Sequence, residues 1–193
     1  TFISTMHYLM ETCAENNKQL IILDRPNPNG SYVDGPIMQP ELKSFVGMHP
    51  MPITHGMTVG EIALLLNGEG WLANKVTCDI EVIKMKNWKH DDDYSLPVRP
   101  SPNLPNDQAI RLYPSICLFE GTVISLGRGT PMPFQVLGNP ELKDMNFTFT
   151  PVPLKGFSID PPLKDKLCYG MDLRSVTPAR KVDLQYLLLF YQK

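Results

Sequence analysis

At 193 residues the chain is long enough for one ordinary domain with its own core, or for a part-domain plus a small second unit. Hydrophobic residues at 42% and charged residues at 20% exclude a disordered, collagen-like or coiled-coil chain. A formal net charge of −2 leaves no basic excess to neutralise a phosphate backbone, so nucleic acid is excluded as a partner; the strongest apolar run, around residues 187–190, is far too short to cross a bilayer.

The first predicted element is a helix whose core face carries Phe2, Met6, Leu9, Met10 and Cys13, with Asn16 and Asn17 as its stop. Residues 19–23 follow as a continuous apolar run, the pattern of a strand buried on both faces of a parallel sheet. Two prolines and a glycine in residues 24–30 then force a turn, and a proline-punctuated excursion continues to about Ile53. Thr58 and Glu61 form a capping box at the head of a second helix, whose buried face is Ile62, Leu65 and Leu66 and whose end is Asn67, Gly68 and Gly70. Residues 78–85 alternate as a strand.

Prolines 97, 100, 102, 105 and 114 predict an extended crossing loop. After it come a strand-like run at 116–120, a Gly-rich turn at 127–129, short strands and loops from 130 to 162 with an alternating segment at 147–150, and a strand over 169–176. An amphipathic helix from Asp183, carrying Leu184, Leu187, Leu188 and Tyr191, closes the sequence. The chain opens inside one predicted helix and stops inside another, so truncation at both ends is expected. The fold class is α/β: residues 1–113 read as the C-terminal part of a Rossmann-like parallel-sheet domain with long loops, and residues 114–193 as a smaller α+β domain. An incomplete sheet leaves an open edge, which implies a partner copy, a swapped element or poor solubility.

Cys13, Cys78, Cys117 and Cys168 form no CxxC pair and read as buried free thiols. His90 followed by Asp91, Asp92 and Asp93 superficially suggests a metal cluster, but neighbouring side chains diverge and a solvated acidic loop accounts for it; no metal is expected. Gly127-Arg128-Gly129 lacks the spacing and basic anchor of a phosphate loop. In open α/β sheets the loops leaving the C-terminal strand ends line the ligand crevice. That rule places Asp24, Arg25 and Asn27 at a favoured site position. Asp24 is either a sugar-hydroxyl acceptor or the acceptor of an Asx turn, and Asn27 suits either purpose. Glu61 is explained by its capping box alone.

Six blocks, taken in order, carry a family resemblance. They are Asp24-Arg25-Pro26-Asn27-Pro28, Gly35-Pro36, Ser44-Phe45-Val46-Gly47, the run from His55 to Glu61, the run from Pro100 to Pro105, and Leu118 to Thr122 followed by Gly127 to Thr130. Together they resemble the NamZ-type exo-β-N-acetylmuramidases, with a weaker match from Cys168 to the end. The resemblance implies a Rossmann-like domain followed by a smaller α/β domain. It further implies an activity that releases terminal β-linked N-acetylmuramic acid from peptidoglycan fragments with water and no cofactor, and a periplasmic or secreted location. It also implies a longer N-terminal portion holding a glutamate usually proposed as catalytic, a role that no residue of this chain inherits.

Glycoside hydrolysis normally uses two carboxyl groups. Glu120 is the best catalytic candidate of this chain, since burial after an apolar run would raise its pKa; the alternative is that it orders its loop through Arg128. His55, ahead of a glycine and a helix start, suits substrate contact or loop packing. The planar fork of Arg128 suits the lactyl carboxylate of N-acetylmuramic acid, or a pairing with Glu120. A non-catalytic module for cell-wall sugars or peptides is the alternative function. A nucleotide-binding enzyme is the weakest, since no glycine fingerprint follows a strand.

Overall fold

Helix α1 (Phe2–Glu15) opens the computed structural model, which describes residues 2–193; of the core face expected from its apolar spacing it buries Met6 and Met10, whereas Phe2 is 79% exposed and Leu9 48%, because the buried stripe runs through Ser4 and His7 instead. Strand β1 (Leu20–Leu23) follows, then an antiparallel hairpin of β2 (Asp34–Ile37) and β3 (Pro52–Thr54), helix α2 (Val59–Gly68) and strand β4 (Ile80–Ile83). β1 and β4 pair in parallel, Leu20 opposite Ile80 through Leu23 opposite Ile83, with α2 in the connection between them. These elements form the first of two compact units, Thr1–Tyr94; the second is Ser95–Lys193.

In the first unit Met10, Ile22, Ile62, Ala63, Leu66 and Cys78 share one core, so both helices cover the same face of the β1–β4 pair. The expectation that β1 is buried on both faces is corrected: Ile21 is 55% exposed, Leu23 74% and Ile83 46%. Successive side chains of a strand alternate faces, and α1 and α2 supply cover for one face only.

The second unit holds helix α3 (Asp107–Ile116), strands β5 (Val136–Asn139), β6 (Phe147–Phe149) and β7 (Cys168–Asp172) in the antiparallel order β5-β7-β6, and helix α4 (Gln185–Tyr191). α3 is unannounced by its prolines. Its N-cap Asn106 accepts the Ala109 N–H at 3.0 Å, and Ala109, Leu112 and Ile116 drive it into the core with Phe119, Phe134, Leu137 and Leu173. Pro114 sits inside it, where the missing N–H and the ring's clash weaken the last turn, and the helix gives way to a 3₁₀ turn over Cys117–Gly121. That turn replaces the strand expected at 116–120. All four cysteines are free thiols, and no described helix is long and apolar enough to cross a membrane.

Candidate active site at the strand ends

Because β1 and β4 run parallel, their C-terminal ends point the same way, and the N-terminus of α2 is tied to that end by Asp24, the residue after β1. Its carboxylate accepts the Thr58 hydroxyl at 2.7 Å and the Gly60 N–H at 2.9 Å. Gly60 permits the approach: a Cβ there would stand 2.5 Å from Val82 Cγ1 and 3.0 Å from Asp24 Cγ. The capping box is present, with Thr58 Oγ1 accepting from Glu61 N–H at 3.2 Å and Glu61 Oε2 accepting from Thr58 N–H at 2.8 Å.

A cavity of about 600 Å³ opens among the loops that follow β1 and β4 and the head of α2, lined among others by Gly30, Tyr32, His55, Glu61 and His90. The proton positions in it follow from the partners. Met57 N–H donates to His55 Nδ1 at 3.1 Å, so that nitrogen is bare and the neutral ring carries its hydrogen on Nε2. Burial holds the His55 pKa below its ordinary value and keeps the ring neutral. A carbonyl can only accept, so His90 Nδ1 donates to Gly30 O, at 3.2 Å; the other nitrogen, Nε2, lies 2.9 Å from Glu61 Oε1. With both nitrogens facing acceptors, the imidazolium is favoured. The Glu61 hydrogen bond raises the His90 pKa, and Glu61 itself is held low by the Thr58 N–H and His90 against an opposing desolvation. The Tyr32 hydroxyl is buried and has no hydrogen-bond partner among the described residues.

The sequence-derived candidates fall into two groups. In the first unit, Asp24 is an anchor for α2 by geometry, and Asn27 both makes an Asx turn to the Asn29 N–H at 3.0 Å and straps the loop to Met57 O at 3.0 Å. Arg25 is exposed, and His55 lines the cavity. In the second unit, Glu120 and Arg128 meet at 3.4 Å beside a cavity of about 440 Å³ that also touches Thr122, Leu126 and Leu163. Glu120 stands exposed on the 3₁₀ turn rather than at the end of a buried strand. Arg128 also lies over the Phe134 ring, 4.9 Å from its centroid, presented by Gly127 and Gly129 at φ +74° and +80°, a conformation that favours glycine.

Tyr32 and His90 line the cavity without a local sequence pattern that marks them, and Glu61 bonds His90 besides capping its helix. The capping box uses one Glu61 oxygen for Thr58, which leaves the other for His90, and that spare acceptor was the available signal. His90 is drawn out of the acidic run by Glu61, Gly30 and a tilted contact with Trp88 at 4.9 Å. Among the described residues no group of three His, Cys, Asp or Glu side chains is arranged to hold a metal.

A mixed α/β chain with a polar cavity at the carboxyl ends of a parallel strand pair, against a helix N-terminus, has the arrangement of α/β proteins that bind small polar ligands. The chain belongs to the exo-β-N-acetylmuramidase NamZ family: the family's N-terminal model matches residues 1–108 and its C-terminal model residues 111–192. It is 43% identical over 188 residues to the peptidoglycan β-N-acetylmuramidase NamZ of Bacillus subtilis, a match covering 90% of this chain and 44% of that one. A DUF1343 family protein from Bacteroides fragilis, solved by crystallography, superposes with a TM-score of 0.96 at 51% identity, over 99% of this chain and 55% of that one. A second from the same organism gives 0.80 at 29% identity, over 98% and 53%. The chain thus spans about half the length of these relatives.

Proposed function

We propose that this chain is part of a glycoside hydrolase that releases terminal β-linked N-acetylmuramic acid from the non-reducing ends of peptidoglycan fragments, with water as co-substrate and no cofactor. The observation that carries the reading is the cavity at the β1 and β4 strand ends. Its neutral donor His55, buried hydroxyl of Tyr32 and Glu61–His90 pair suit a hydroxyl- and amide-rich sugar ring, in a chain 43% identical to a peptidoglycan β-N-acetylmuramidase. Arg25 and Asn27 lie on the loop that leaves β1, as Gly30 and Tyr32 of the cavity do; within the second unit, taken by itself, Arg128 is the candidate fork for a lactyl carboxylate, with Glu120 as the candidate carboxylate beside it. β1 and β4 are then two strands of a larger Rossmann-like sheet, in which a second helical layer covers the open face of Ile21, Leu23 and Ile83. Such a substrate places the protein in the periplasm or outside the cell.

A non-catalytic sugar-binding module is the second reading, favoured by one observation: Glu120 is exposed and paired with Arg128. Release of N-acetylmuramic acid from its para-nitrophenyl β-glycoside, with the Bacillus subtilis relative as positive control, separates the two. Turnover supports the hydrolase, saturable binding without turnover supports the module, and neither result with an active control overturns both.

A further inference from the structure

Two side chains on the strand-end cavity have a relationship that a cap and a solvated loop leave unexplained. Glu61 presents one oxygen to the backbone of its own helix and the other to His90, and His90 presents its second ring nitrogen to the Gly30 carbonyl, which with His90 itself lines the cavity. The two bonds of the imidazole are unequal. The Nε2 bond is 2.9 Å to a carboxylate, whereas Nδ1 faces neutral backbone, the Gly30 carbonyl at 3.2 Å with the Gly56 backbone also bonded to the ring, so the Nδ1 proton is the one held without a charged partner. A carboxylate that fixes an imidazole through one nitrogen while the other moves a proton is the division of labour by which positioned His–carboxylate pairs act in acid–base catalysis.

We propose that His90 is the general acid of the glycosidic cleavage and that Glu61 is its positioning residue. This rests on the hydrolase reading above. In the step, the bond from the anomeric carbon to the leaving sugar's oxygen breaks and that oxygen takes the His90 Nδ1 proton. Water supplies hydroxide to the anomeric carbon, and its proton returns to Nδ1, so one water is consumed and His90 ends as it began. Both side chains have the access this needs, at 40% exposed for His90 and 43% for Glu61. The Glu61 hydrogen bond keeps the imidazole protonated to a higher pH than usual. The other titratable groups around the cavity are His55 and Tyr32, and on the His90 segment Lys89, Asp91, Asp92 and Asp93.

The test exploits leaving groups. A para-nitrophenolate departs without a proton, whereas a sugar hydroxyl does not. In the gene product that carries this chain, H90A should lower turnover of an N-acetylmuramyl-β-1,4-N-acetylglucosamine disaccharide by about 10²–10⁴-fold, and that of the para-nitrophenyl glycoside by less than about tenfold. Glu61→Gln keeps the capping box, which accepts glutamine, and should move the alkaline limb of the disaccharide pH–rate profile to lower pH. Should H90A melt early, H90Q is read in its place, and added imidazole should restore disaccharide cleavage to H90A. Equal losses on both substrates in a variant that melts like the wild type, or no loss on the disaccharide, overturns the assignment. A wild type that cleaves neither substrate removes the hydrolase reading and this proposal with it.

Discussion

Removing the Asp24 carboxylate tests whether it holds the site together or contacts the ligand. It accepts two hydrogen bonds from the head of α2, at 2.7 Å from the buried Thr58 and 2.9 Å from Gly60, where the helix's positive end adds to the attraction. Hydrogen bonds to a charged group contribute about 1.5–3 kcal/mol each, and two sharing one carboxylate are less than additive, so Asp24→Ala should cost about 2–4 kcal/mol. Asp24→Asn keeps one acceptor oxygen and should cost about half as much. For a unit of this size each kcal/mol moves the melting midpoint by about 4–8 °C. Urea unfolding should show a lower midpoint with an unchanged slope. In a double-mutant cycle, Thr58→Ala should cost less in the Asp24→Ala background than alone. An Asp24→Ala protein within about 0.5 kcal/mol of the parent that no longer binds sugar would refute the anchor and return Asp24 to the ligand.

Gly60→Ala should destabilise by about 1–3 kcal/mol, because its Cβ meets Val82 and Asp24; a neutral result by thermal melting would show that α2 can move off the strands. The Glu61–His90 pair should contribute no more than about 1 kcal/mol in a double-mutant cycle, both groups being partly exposed. His90 is raised and Glu61 lowered, so this contribution should be fullest between pH 4.5 and 6.5. It should fade as pH rises through the raised His90 value and as pH falls through the lowered Glu61 value; the opposite trend contradicts the pairing. Desolvation pushes the thiols of half-buried Cys117 and buried Cys168 up to about 11, so both should react slowly with an aromatic disulfide reagent at pH 8 until the protein is denatured; rapid labelling of either in the folded protein contradicts the raised values. Arg128→Lys should weaken binding of N-acetylmuramic acid more than that of N-acetylglucosamine, measured by calorimetry; equal effects leave Arg128 paired to Glu120 alone.

Local signals predicted much of this molecule. The helical spacing of Met6 and Met10, the capping box at Thr58 and the apolar run of β1 each define an element by short-range physics, and each is present. α3 was obscured because proline density reads as irregular chain, while its N-cap and amphipathic face are visible only when Asn106 to Ile116 is read apart from its neighbours. The one-sided burial of β1 depends on which side the helices pack, which no strand's own residues encode. His55, expected in substrate contact or loop packing from its place before a glycine and a helix start, lines the cavity. His90 was not legible, because its partners are long-range, Glu61 at 29 residues and Gly30 at 60; Tyr32 was not, because no local pattern marks a hydroxyl that burial leaves without a partner among the described residues. The Glu120–Arg128 pairing was legible as an alternative, since the two residues lie eight apart across a Gly-rich turn.

The location of the sugar site is the claim on which the rest depends, and a crystal structure of the protein soaked with N-acetylmuramic acid measures it most directly. The account predicts the sugar beyond the ends of β1 and β4, with His55 Nε2 and the Tyr32 hydroxyl within hydrogen-bond distance of its oxygens and His90 beside the anomeric carbon. Sugar bound elsewhere, with the Tyr32, His55 and His90 cavity empty, would contradict it.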